Sequence, residues 1–78
     1  MMASSLTTQI QEVEREIALR RNVYPRQVSK RAMSQSASEL LIERMEDVLN
    51  TLLWLERNET EVRAYVAAKK ASIAELLS

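Results

Sequence analysis

Leu6, Ile10, Val13 and Ile17 recur at steps of four, three and four residues, with polar positions between them. On a helix that spacing sets all four in one narrow apolar seam, which must lie against another helix. It predicts a helix over about residues 5–23. Thr8 followed by Gln11 predicts a capping box near its start, Glu16 and Arg20 form an i,i+4 pair in the favourable order, and Arg20 with Arg21 places cations in the last turn. The residue before a proline is pushed out of the α region, so the helix is expected to stop near residues 22–24. Pro25 suits the first turn of a new helix, and PRQVSKRA predicts a short one over about residues 25–32 with Val28 turned inward. The next element opens at Ser34 as N-cap, or at Ser36 with Glu39 as its capping-box partner.

Leu41, Met45, Val48, Leu52 and Leu55 repeat the four-three spacing, and Ile42, Leu49 and Leu53 widen the stripe into a core face. At Leu52, Leu53, Trp54 and Leu55 the helix becomes apolar on every side, more than a single partner helix covers, which points to a third helix or a second subunit. The following ERNETE, residues 56–61, has no apolar residue, yet also no glycine or proline to force a turn. A new N-terminus at Asn58 and Glu61 would fold the last segment back into a three-helix bundle. The preferred reading is one helix over about residues 35–77, continuous or kinked near 57–60, because nothing in the segment supplies a tight turn. The expected fold is therefore all-α: a single domain over residues 1–78, built as a helical hairpin with a short helix at the bend and a long C-terminal helix. Such hairpins are expected to assemble as an oligomeric coiled-coil-like bundle. Candidate interface residues are Leu52, Leu53, Trp54, Leu55, Val62, Tyr65, Val66 and Ile73, with an ordinary core position as the plainer reading of Trp54.

Composition sharpens this picture. A chain of 78 residues buries a small share of its surface, and one without cysteine or histidine has neither a disulfide nor the usual zinc ligands to supplement its core. Association with another chain is the remaining source of burial. Net charge is zero but segregated: residues 1–35 carry six cations against three acids (+3), residues 36–61 two against seven (−5), and residues 62–78 three against one (+2). An acidic middle between basic ends lets neighbouring copies fix register by charge, though solvated helix faces account for the pattern equally well. The apolar runs at residues 40–42 and 52–55 are too short to span a bilayer, and MMASSLTTQ has neither a basic region nor an apolar signal core. With the absent thiols, these features lead to the expectation of a soluble, non-secreted protein in a reducing cytoplasm, without a membrane partner.

Catalysis fits poorly. There is no histidine or cysteine for acid–base or nucleophilic chemistry, and the carboxylate pairs Glu12/Glu16 and Glu39/Glu43 read as solvated helix faces. No catalytic residue, metal site or cofactor is expected. The sharper candidate is the basic stretch RRNVYPRQVSKR at residues 20–31, with five cations and no acid. Arg20, Arg21, Arg26, Lys30 and Arg31 could line one surface for a carboxylate or phosphate, with Tyr24 available to stack on a base. The plainer alternative is that Tyr24 packs beneath the bend while the cations are solvated or cap helix ends.

VEREIALRRNVYPRQV, followed by MSQSASELLIERMEDV, resembles a group of small phage and prophage proteins with a VEREI, VYPR, MSQ, ME pattern. The matching positions run from Val13, Glu14, Arg15, Glu16, Ile17 and Arg20 through Val23, Tyr24, Pro25, Arg26 and Val28 to Met33, Ser34, Gln35, Ile42, Met45, Glu46 and Val48. The resemblance implies a phage origin, the host cytoplasm as location, and an early or accessory role. Residues and resemblance together lead to the expectation of a non-catalytic interaction protein that self-associates and binds a host or phage protein. A counter-defence role is included, with a small anionic nucleotide signal sequestered at the basic bend. The alternatives are a nucleic-acid-binding regulator and a structural protein of the virion or its assembly. Zero net charge and the acids Glu39, Glu43, Glu46 and Asp47 weigh against placing the long helix beside phosphates.

Overall fold

Ser5 opens the first helix in the computed structural model, which describes residues 5–78; residues 1–4, on which part of the MMASSLTTQ reading falls, lie outside the described residues. The described chain is all-α, a hairpin of α1 (Leu6–Ser29) and α2 (Gln35–Leu77). Ser5 is extended, and its hydroxyl accepts the Thr8 backbone N–H at 3.1 Å, satisfying one of the donors that a helix start leaves free. The cap is thus Ser5 and not the expected Thr8–Gln11 box, three residues earlier than the capping pattern indicated.

The separate short helix expected over residues 25–32 is not formed. Instead α1 continues through Pro25 to Ser29. Proline removes only its own N–H, here the bond to the Arg21 carbonyl, and its exposed ring lies only one turn before the helix ends. Around it Val23, Tyr24, Gln27 and Val28 are half-buried, so carrying the helix on keeps a packed face that a stop at residue 23 would lose.

The end of α1 is a Schellman motif: the Arg31 N–H donates to the Val28 carbonyl at 3.0 Å and the Ala32 N–H to the Gln27 carbonyl at 2.9 Å. Arg31 takes the left-handed conformation, φ 61°, that this motif requires and that glycine adopts without a Cβ penalty. Arg31→Gly is accordingly expected to stabilise the hairpin by about 1 kcal/mol in urea unfolding followed by circular dichroism; a loss of stability would show that the arginine side chain holds the turn. Of the two caps considered for the next helix, Ser34 is the one used, its hydroxyl accepting the Ala37 N–H at 3.1 Å.

The helix α2 is unbroken for 43 residues, ERNETE included. At the α-helical rise that is roughly 64 Å, against roughly 36 Å for α1, and the molecule measures 64 × 25 × 20 Å. A third helix is therefore absent from the described residues, and the second half of α2 is an overhang. Ile10 and Ile17, each 5% exposed, are the buried apolar side chains; Leu6 and Val13 of the same seam are half-buried, as are Leu41, Ile42, Met45, Leu49, Leu52, Leu53 and Leu55 across from them. Ser38 is buried too, a small residue where the helices converge on the bend. From residue 63 to residue 78 every position is exposed. Among the described residues no helix is long and apolar enough to cross a membrane.

Candidate functional site

Arg20 and Arg21 face α2 because the seam of α1 turns them toward it one helical turn beyond Ile17. Arg20 donates through Nε to Glu16 at 2.9 Å and through Nη1 to the Leu41 carbonyl at 2.9 Å, and its guanidinium lies 5.9 Å from the centre of the Tyr24 ring. Arg21 spans the two helices to Glu46 at 2.6 Å. These contacts form a clasp that ties the two helices together more than two turns before α1 ends at the bend. The Arg21–Glu46 pair is largely solvated and contributes at most about 1 kcal/mol, so its main effect is to fix which turn of α2 lies beside which turn of α1. The bond from Arg20 is better shielded, its side chain being 23% exposed.

The six candidate residues of the basic stretch are thus divided. Arg20, Arg21 and Tyr24 are engaged within the hairpin. The side chains of Arg26, Lys30 and Arg31 carry no ion pair among the described residues and are exposed around the bend. Sequence reasoning found the cations but missed Glu46, the acid that takes up Arg21. Charge of the right sign was visible there; the register that makes the two meet was not.

The eight interface candidates also separate. Leu52, Leu53 and Leu55 are half-buried beside the start of α1, while Val62 is half-buried on the overhang. Trp54 is 58% exposed and, five residues along from Leu49, points roughly away from the Ile17, Ala18 and Arg21 wall that Leu49 lines. Tyr65, Val66 and Ile73 are exposed on the overhang, and so, more fully, are Leu76 and Leu77 at 85% and 83%, apolar positions of the same segment that were not among the eight candidates. At 100° per residue, Val48, Leu55, Val62, Val66 and Ile73 fall on one straight strip of α2, alongside the α1 contact and running past its end. Where the strip meets α1 there is a groove of about 520 Å³, lined by Thr8, Gln9, Glu12, Val13, Val48 and Leu52.

No group of three acidic side chains among the described residues is arranged to hold a metal ion. The surface offers an apolar strip, a groove at its start, an isolated tryptophan and a cationic bend, all suited to contact with another molecule. Comparison with protein-family models, curated proteins and solved structures finds no match to this chain, so its own surfaces carry the functional reading.

Proposed function

We propose that this chain is a non-catalytic interaction protein that self-associates through the apolar strip of α2 and presents the bend and Trp54 to a further partner. The single observation that carries the reading is the disproportion between inside and outside. Among the described residues two apolar side chains are buried, whereas Val48, Val66, Ile73, Leu76 and Leu77 stand 43–85% exposed along one helix. Exposed apolar surface of that extent, aligned on one element, marks an interaction site. A two-helix hairpin of this size also lacks the core needed to stand alone, and a second chain supplies the missing burial. The cations of Arg26, Lys30 and Arg31 leave the bend suited to an acidic protein segment or a phosphate-bearing ligand from the phage or its host.

Sedimentation velocity between about 1 and about 100 μM tests the reading, since assembly that stabilises the fold is concentration-dependent. A dimer or larger species is expected in the micromolar range, with helicity rising together with assembly. A fully helical monomer throughout would overturn the proposal.

A further inference from the structure

We propose that the tail of α2 pairs with the same tail of a second copy in antiparallel orientation and in one register, with the two-fold axis at Ala64. The inference rests on the self-association proposed above and adds its geometry. The four-three spacing of Leu41, Met45, Val48, Leu52 and Leu55 does not end at Leu55: it continues through Glu59, Val62, Val66, Lys69, Ile73 and Leu76. Because α2 is unbroken over this span, these positions form one seam with the slow drift of a coiled-coil stripe. Its last six positions include one acid and one base.

Those two charges select the arrangement. A parallel, in-register pair sets Glu59 against Glu59 and Lys69 against Lys69, a repulsion at both layers. An antiparallel pair in which Glu59 faces Lys69 of the second copy satisfies both, and the same register sets Val62 against Val66, Leu55 against Ile73 and Leu52 against Leu76. Sliding the copies by one heptad either way leaves Glu59 facing Val62 or Leu76 and Lys69 facing Leu52 or Val66. Each charge is then desolvated without a partner, the costly outcome. Beside the seam, Glu56 meets Lys70 of the second copy and Tyr65 meets its own counterpart. Arg63 also meets its counterpart, but each Arg63 already holds Glu59 of its own chain at 2.9 Å. Glu59 therefore stands between two cations.

The register also places the exposed end of the tail. Leu76 reaches the Leu52 turn of the second copy, and with Leu77 arrives at the groove that Thr8, Gln9, Glu12, Val13, Val48 and Leu52 line. The seam thus runs without interruption from the hairpin contact into the contact between copies, meeting it at the Leu52 layer.

A charge-swap cycle read by sedimentation equilibrium tests this register. Glu59→Lys and Lys69→Glu, each creating two like-charge layers, are expected to weaken self-association at least about tenfold, and the double variant to recover most of that loss, short of wild type because Arg63 no longer has its acid. Circular dichroism above each dissociation constant checks that the helices persist, and recovery in the double variant excludes a folding defect in the singles. If the wild type associates but the singles match it, as a parallel pair requires, or if the double is weaker than either single, the register is overturned while self-association stands. A monomeric wild type overturns both.

Discussion

Ile17→Ala is expected to lower the unfolding free energy by about 2–5 kcal/mol, the range for emptying a well-packed aliphatic site. Such a loss is a large part of what any small domain has. Ile17 is 5% exposed, lies beside Ala18, Arg21, Glu46 and Leu49, and among the described residues has only Ile10 as an equally buried apolar companion. The Arg21–Glu46 bridge beside it is too solvated to compensate. Urea unfolding at fixed protein concentration measures the effect. Leu19→Ala, on the same helix but at a site 54% exposed, serves as reference and should stay within about 0.5 kcal/mol of wild type. Equal losses at the two positions would show that the α1 seam is not the core.

Much of this architecture is legible in the chain because periodicity survives translation into structure. The seam of Leu6, Ile10, Val13 and Ile17 is the face that α1 turns inward, and the i,i+4 pair of Glu16 and Arg20 forms at 2.9 Å. The unbroken passage through ERNETE follows from the lack of any residue that stops a helix, and α2 keeps the bounds that its pattern predicts. What failed is local chemistry read without its neighbours. Pro25 looks like a boundary because its penalty is a property of the residue, whereas the packing of Val23, Tyr24 and Val28 that outweighs it belongs to the hairpin. Arg31 in the left-handed region leaves no mark on a sequence in which glycine is wholly absent.

The basic stretch illustrates a different limit. Five cations close together in sequence look like one site, but helix geometry turns Arg20 and Arg21 toward α2 and leaves Arg26, Lys30 and Arg31 around the bend. Counting charge cannot separate the two groups; only the antiparallel register does, by setting the Leu41 carbonyl and the Glu46 carboxylate within reach of the first pair. The seam past Leu55 had the opposite fate. Its spacing was present throughout, but Glu59 and Lys69 interrupt the apolar pattern, and only a continuous helix makes them members of the same row.

Val66→Asp is expected to weaken self-association by a factor of about a thousand or more, the largest effect of any single substitution on the tail. Val66 is 43% exposed on a stretch of α2 that α1 does not reach, so the substitution removes no packing within the hairpin. Between copies it faces Val62, and two-fold symmetry introduces the aspartate twice, each time as a desolvated carboxylate without a cation at its layer. A cost of several kcal/mol for each uncompensated charge gives at least this factor. Lys69 of the same chain, three residues along, is already opposite Glu59 of the second copy. Sedimentation equilibrium gives the dissociation constant, and circular dichroism at matched concentrations shows whether helicity falls with it, as it must if the hairpin depends on its second copy for stability. Unchanged association in this variant would remove the α2 strip from the interface, and with it the reason for the length of the helix.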